Sequence, residues 1–303
     1  MNLATLPLGG QHDGPHILIT GGVHGDEYEP MLALRRLAVL LRARTLRGRV
    51  TLIPVVNEPA FLEGKRTGPD DLDLARTFPG RPHGSITEQI AHELSPLIQN
   101  ADAYIDLHTG GARLQVYPLT GYMLHHDPEV LEHQRRMARA FALPILWGTD
   151  PGLDGRSLSV ARDANVPSIY AEFLGGGGCD PRGVAAYIRG CLNVLIDLNV
   201  IDGNIEAPSV PSLVVEDPRD GSGHMQVQHP SPCDGFFEPV VTLGQRVQLG
   251  DPLGAVSDPL GRDPVSVSAG WSGVVLVLRT VPSVLEGDAL AVVLETDQDV
   301  PPF

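Results

Sequence analysis

The 303-residue chain carries 37 acidic and 22 basic residues, which gives a formal net charge of -15 at pH 7. This balance argues against a nucleic-acid-binding protein, because a phosphate backbone requires a basic protein face. It leaves open the charge of a small-molecule ligand, since a local cluster of arginines can override the global sign. The length is enough for about two domains of roughly 150 residues each.

The cysteines and the hydrophobic pattern favour a cytoplasmic location. Three cysteines without CxxC spacing are typical of free thiols in a reducing environment. The first residues show no basic segment followed by an apolar one, and no run approaches the ~20 apolar residues that cross a bilayer. We therefore expect a cytoplasmic protein with no membrane partner.

The first 200 residues alternate strand-like and helix-like segments. Short apolar runs bounded by Gly, Pro, Asn or Asp predict strands at His16–Thr20, Arg49–Val56, Ala103–Leu107, Gln115–Leu119 and Ser168–Phe173. Longer segments predict helices at Pro30–Arg44, Ile86–Gln99, Pro128–Phe141 and Pro181–Leu198. This alternation predicts a doubly wound α/β domain.

The composition changes near Ile201, beyond which short alternating segments are separated by Gly, Pro and Asp turns. We predict a catalytic domain over residues 1–203 and a small all-β domain over residues 204–303. A V-x-x-G-D-x-L unit occurs at Val247 and again at Val284, and it resembles the hairpins of barrel-sandwich carrier domains. Residues 201–303 contain no lysine to carry a prosthetic group, so a structural cap or an oligomer contact is favoured.

The candidate chemistry begins in Gly21-Gly22-Val23-His24-Gly25-Asp26-Glu27, where a predicted strand opens into a predicted helix. Ligands of α/β proteins bind outside the carboxyl ends of strands, which is where His24 and Glu27 fall. A second strand end carries Asp106-Leu107-His108. Residues two apart on a strand share a face, so Asp106 could accept a hydrogen bond from an imidazole nitrogen.

Two histidines and one carboxylate leave a fourth position open, which is the pattern of a catalytic zinc site. We therefore predict one Zn²⁺ per chain, bound by His24, Glu27 and His108. Zinc acidifies water and polarises carbonyl groups. The alternative for the first motif is structural: His24 caps a helix, and Glu27 interacts with the helix dipole.

The motifs G-G-V-H-G-D-E and D-L-H-T-G-G, with R…D-L-x-R-x-F-P-G between them, resemble the succinylglutamate desuccinylase/aspartoacylase family. That family is a branch of the zinc carboxypeptidase-like fold, and the resemblance extends over residues 15–180 and loosely into the β region. It implies a doubly wound mixed sheet with a C-terminal β domain. It also implies that His24, Glu27 and His108 are the zinc ligands.

The resemblance further implies roles for residues around the metal. Glu172, which precedes a glycine run, matches the general base that moves a proton from water to the leaving amine. Arg66 would stabilise the oxyanion, and Arg76 would hold a substrate carboxylate. Asn57 is predicted to shape the substrate site as a turn former. The family commonly reads D-L-N-R, whereas Ala75 stands at the third position here and removes a neutral donor.

The predicted function is zinc-dependent hydrolysis of an amide bond in a small N-acylated amino acid or related compound. The E-x-L-G-G-G-G form starting at Glu172 resembles the deacetylase subgroup that acts on small N-acetylated diamino acids. Two alternatives are a metallocarboxypeptidase for short or modified peptides and a non-catalytic binding protein that retains the fold. We expect a small-molecule N-acyl substrate as partner, and a homo-oligomer is possible.

Overall fold

The computed structural model describes residues 3–225 and 228–303. The described strands are β1 Leu6–Gly9, β2 His16–Gly21, β3 Arg49–Ile53, β4 Ala103–His108, β5 Leu114–Met123, β6 Ile145–Thr149, β7 Ser168–Gly175, β8 Leu213–Glu216, β9 His229–Pro230, β10 Gly235–Pro239, β11 Arg246–Val247, β12 Pro252–Ser257, β13 Val265–Ser268, β14 Gly273–Arg279, β15 Ser283–Val284 and β16 Ala289–Glu295. The α-helices are α1 Tyr28–Arg42, α2 Glu58–Glu63, α3 Ile86–Gln99, α4 Pro128–Phe141, α5 Ser157–Asp163 and α6 Pro181–Asp197. A single 3₁₀ turn, Leu74–Arg76, is also described.

One large mixed sheet organises the fold. Its strand order is β1-β3-β2-β4-β7-β5-β14-β16-β9, with β6 paired to β5 and β8, and β11 paired to β14. Strands β3, β2, β4 and β7 run parallel, whereas β5 is antiparallel to β7. The parallel block places several strand ends at one edge, and this edge carries the candidate site.

Helices cover both faces of the parallel block, as a doubly wound sheet requires. On β2, Ile17 and Ile19 pack into one core cluster together with Leu34 of α1. The intervening Leu18 packs into a second cluster with Leu94 of α3. Because successive side chains of a strand point to opposite faces, both faces of β2 are apolar and buried. The predicted doubly wound mixed sheet is confirmed.

All five predicted strands and all four predicted helices are present, with ends shifted by up to four residues. The largest extension is β5, which was predicted to end at Leu119 and continues to Met123. The sequence patterns did not identify β1, β6, α2, α5 or the 3₁₀ turn. These elements have three to seven residues each, too few for a helical or strand period to be recognised.

The C-terminal residues form a second, antiparallel sheet with strand order β13-β12-β10-β15. Its core contains Phe237, Val256 and Leu290. The same segment also extends the large sheet, because β14 pairs with β5 through Val277 and Val116. The predicted division at residues 203/204 stays a prediction. In the part of the chain that the structure describes, no helix is long and apolar enough to cross a membrane.

Candidate metal centre and substrate cavity

The candidate site lies at the carboxyl ends of β2, β4 and β7. His108 is the last residue of β4, and it stands opposite Glu172 of β7 in the parallel register. β2 ends at Gly21 opposite Leu107, and the chain then turns through His24 and Glu27 into α1. Three separate strand ends therefore bring these side chains together.

The three predicted metal ligands form a compact, buried group. Nδ1 of His24 lies 2.7 Å from Oε1 of Glu27, and Nδ1 of His108 lies 3.2 Å from Oε2 of Glu27. One ligand atom from each residue falls within 4.8 Å of the others. Against the cost of burial, the neighbouring His24 and His108 hold the pKa of Glu27 below its ordinary value. The carboxylate is therefore ionised and available as a ligand.

The Nε2 atom of each histidine contacts a carboxylate. Nε2 of His24 lies 3.1 Å from Oδ1 of Asp73, and Nε2 of His108 lies 3.1 Å from Oδ2 of Asp106. Such outer carboxylates fix the tautomer and orientation of metal-bound histidines. Both Nδ1 atoms are thereby left facing Glu27. Two imidazoles and one carboxylate in this arrangement fit a zinc ion.

A network of buried polar side chains surrounds Asp106, the carboxylate that contacts His108. Asp106 accepts hydrogen bonds from Thr20 at 2.7 Å and from Ser157 at 2.5 Å. Thr20 is also 2.8 Å from the hydroxyl of Tyr104, which is fully buried. The donors around Asp106 stabilise its charge, and the charged Asp106 orients the imidazole.

Glu172 stands beside this group with a free oxygen. Its side chain is 6% exposed, and its Oε2 atom has no hydrogen-bond partner among the described residues. Burial raises the pKa of the carboxyl to about 7, although the charge of His108 acts in the opposite direction. A carboxyl group with a pKa near neutrality is suited to accept and donate a proton.

Three arginines line the same cavity. Arg66 donates to Asp73 at 3.0 Å and lies 3.9 Å from Glu27. Arg76 is exposed where it borders the cavity, and it donates to the Ala75 carbonyl at 2.8 Å. The Nη2 atom of Arg156 is buried without a hydrogen-bond partner among the described residues. Arg76 and Arg156 thus present positive charge that no carboxylate of the described chain neutralises by an ion pair.

The C-terminal segment completes the cavity wall. Gly223, Met225 and Val277 line the cavity together with the predicted metal ligands. Asp150 fixes the loop that bears Gly223. Its backbone nitrogen donates to the Ser222 hydroxyl, and its carboxylate accepts from the backbone nitrogen of Gly221. Residues of the predicted C-terminal β domain therefore contribute to the cavity wall.

Comparison with known proteins gives the family. The sequence model of the succinylglutamate desuccinylase/aspartoacylase catalytic domain matches residues 13–198. The chain belongs to the succinylglutamate desuccinylase/aspartoacylase family. The family predicted from the motifs is confirmed, and the protein is an enzyme of a deacylase family.

Relatives within the succinylglutamate desuccinylase/aspartoacylase family resemble the whole chain. The N-alpha-acetyl-L-2,4-diaminobutyric acid deacetylase of Halomonas elongata is 36% identical over 93% of this chain and 83% of its own length. The product-bound ectoine utilization protein EutE (DoeB) of Ruegeria pomeroyi has a TM-score of 0.87 at 31% identity, covering 96% of this chain and 88% of that one. A succinylglutamate desuccinylase of Silicibacter sp. TM1040 has a TM-score of 0.86 at 32% identity, with coverages of 95% and 87%.

Asn57 is the one predicted site residue that does not line the cavity among the described residues. It is fully buried, precedes α2, and accepts a hydrogen bond from the Ala60 backbone nitrogen at 3.3 Å. Its backbone nitrogen donates to Gly22 at 2.8 Å, which ties α2 to the loop that bears His24. Its contribution to a substrate site of this family stays a prediction.

Sequence reasoning left Asp73, Arg156 and Tyr170 without an assigned role. Asp73 lies within the D-L-x-R motif and could have been identified from it. Arg156 precedes a helix of only seven residues, and no motif marks it. Tyr170 lies two residues before Glu172 on β7, so strand alternation alone places both side chains on the same face.

Proposed function

We propose that the protein is a zinc-dependent hydrolase that cleaves the amide bond of a small N-acylated amino acid, with N-acetylated diamino acids as the narrower class. The observation that supports this most directly is the placement of His24, Glu27 and His108 at one sheet edge beside Glu172. In this group the two Nδ1 atoms face Glu27, while Asp73 and Asp106 hold the opposite nitrogens. A structural helix cap would not need this second layer of carboxylates.

Each residue around the site has a distinct role in this proposal. His24, Glu27 and His108 would hold the zinc ion, which would supply Lewis acidity toward the scissile carbonyl and a water molecule. Glu172 accepts a proton from the attacking water and delivers it to the leaving amine nitrogen. Arg66, held by Asp73 at the cavity wall, donates hydrogen bonds to the oxyanion that develops on the carbonyl oxygen.

The substrate class is argued from charge and size. Arg76 and Arg156 are suited to bind a carboxylate through the planar fork of a guanidinium group. Gly223, Met225 and Val277 line the same cavity and would limit the size of the substrate. The deacetylase of Halomonas elongata, similar along most of its length, acts on N-alpha-acetyl-L-2,4-diaminobutyric acid. That compound is the first candidate substrate for this chain.

The proton-transfer role is tested by Glu172→Gln. The amide cannot accept a proton, and loss of general-base catalysis typically costs 10²- to 10⁴-fold in rate. We expect kcat to fall by about that factor while the protein retains one zinc per chain by elemental analysis. The matched control is Glu238→Gln, an exposed strand glutamate of the small sheet, which should leave kcat unchanged. Undiminished hydrolysis by Glu172→Gln would refute the mechanism.

The two alternative functions are separated by substrate and metal. A panel of N-acetyl amino acids and dipeptides distinguishes a deacylase from a carboxypeptidase, since both reactions use the same metal group. Cleavage of dipeptides alone would exclude the deacylase. A purified protein without zinc and without hydrolysis of either class would support the non-catalytic binding protein.

A further inference from the structure

Tyr170 and Glu172 project from the same face of β7 into the cavity. The neighbouring strands present Asp106 opposite Tyr170 and His108 opposite Glu172. On the other side, Gly121 of β5 stands opposite Tyr170. On this face of the sheet, His108 and Glu172 form one row across the strands. Asp106, Tyr170 and Gly121 form the neighbouring row, two residues earlier on β4 and β7.

Gly121 determines where the Tyr170 ring lies. A Cβ atom added to Gly121 would be 2.0 Å from Cε1 and Cζ of Tyr170, and 2.4 Å from its hydroxyl oxygen. The ring therefore occupies the space that a side chain at position 121 would fill. Such close packing fixes the position of the Tyr170 hydroxyl, because the backbone of Gly121 blocks further movement of the ring toward β5.

The Tyr170 hydroxyl forms no hydrogen bond with residues 3–225 or 228–303, although the side chain is only partly exposed and lines the cavity. Burial raises the pKa of the phenol, with a further contribution from Glu172. The group is thus a protonated donor. A hydroxyl that faces a cavity and has no partner in the described chain is free to donate a hydrogen bond to a ligand.

The surroundings indicate the chemistry of that ligand. Arg156, whose Nη2 atom is buried without a partner in the described chain, lines the same cavity. Arg76 lines the cavity as well, and the adjacent Ala75 offers no side-chain donor. Two unneutralised guanidinium groups and one neutral O–H donor form a site complementary to a carboxylate.

We propose that the Tyr170 hydroxyl donates a hydrogen bond to the substrate carboxylate held by Arg76 and Arg156, and thereby selects N-acyl amino acids over amides without a carboxylate. This inference rests on the proposed deacylase function. It makes Tyr170 a substrate-binding residue that acts equally in the ground state and the transition state. Its removal should therefore raise KM and leave kcat unchanged.

The test is Tyr170→Phe, which keeps the ring against Gly121 and removes only the hydroxyl. A hydrogen bond to a charged group corresponds to about a 10-fold change in affinity or more, so KM for an N-acetyl amino acid should rise at least about 10-fold. The corresponding N-acetyl amino acid carboxamide should show the same KM with wild type and variant. Tyr122→Phe is the matched control, because its hydroxyl donates to Glu216 at 2.8 Å and is not part of the cavity.

Three outcomes separate the inference from the function on which it rests. If wild type hydrolyses no N-acyl amino acid, the proposed function and this inference both fail. If wild type is active and Tyr170→Phe keeps the wild-type KM, only the inference is overturned. A fall in kcat of equal size for the acid and the carboxamide would also overturn it, because the hydroxyl would then act at the reacting centre. Thermal melting of each variant establishes that it is folded.

Discussion

Asp73 bridges a predicted metal ligand and a predicted oxyanion donor. Its Oδ1 atom lies 3.1 Å from Nε2 of His24, and its Oδ2 atom accepts from Nη2 of Arg66 at 3.0 Å. Despite its burial, hydrogen bonding to His24 and the charge of Arg66 hold the pKa of Asp73 well below its ordinary value. One carboxylate thus links the predicted ligand His24 to Arg66.

Asp73→Asn should weaken zinc binding. The amide retains the shape but not the charge that makes the imidazole a better ligand, and loss of such an outer partner typically costs about 10- to 100-fold in metal affinity. The measurement is zinc content after dialysis against chelators of graded strength. The control is Asp71→Asn, an exposed aspartate of the same segment, which should retain zinc like wild type. Equal retention by both variants would contradict the role assigned to Asp73.

Thr20→Val should destabilise the fold. The change keeps the shape of the side chain and leaves the charged Asp106 without its 2.7 Å donor. A buried group that loses its partner typically costs about 1–3 kcal/mol. Denaturant unfolding of Thr20→Val, Tyr104→Phe and the double variant measures this cost and the coupling within the network. A double variant whose cost equals the sum of the single costs would show that no network exists.

Gly121→Ala should be poorly tolerated, because the added methyl group would overlap the Tyr170 ring. Overpacking of a core typically costs about 1–3 kcal/mol. Gly178→Ala serves as the control, since a Cβ atom there would meet nothing within 4 Å. The free energy of unfolding should fall for the first variant and change by less than about 0.5 kcal/mol for the second. Similar values for both would mean that the ring is not held by the glycine.

The ion pair between Arg135 and Glu216 should make the free energy of unfolding depend on pH in the acid range. Arg135 donates to both oxygens of Glu216, at 2.7 and 2.8 Å, and lowers the pKa of that carboxyl. A carboxyl whose folded-state pKa is depressed contributes stability above its unfolded pKa of about 4.3. That contribution is lost as the pH falls through the folded-state pKa.

Glu216→Gln should therefore be less stable than wild type at pH 7 by about 1 kcal/mol, a modest value because the pair is partly exposed. The difference should shrink when unfolding is measured at successively lower pH below 4. A gap that persists unchanged under acid would mean that packing of the side chain, not its charge, produces the effect.

The local patterns of the sequence determined most of the α/β elements and indicated the three predicted metal ligands. Apolar runs of strand length and longer helical segments follow from neighbouring residues, so β2, β4 and β7 could be predicted with their ends nearly correct. The predicted ligand positions followed because His108 ends β4 and His24 lies in the turn that follows β2. Asp106 followed from the two-residue strand period. These inferences need only short-range information.

Only the tertiary structure decided how the site is enclosed and supported. Asp73 reaches His24 from 49 residues away in the chain, and Ser157 reaches Asp106 from 51. β14 extends the large sheet through β5, so residues of the C-terminal segment line the cavity. Such contacts depend on strand order and on side-chain packing between distant segments, and no local period encodes either. The sequence by itself therefore determined which residues are candidates for the site, and the fold decided their orientation, their partners and the shape of the cavity.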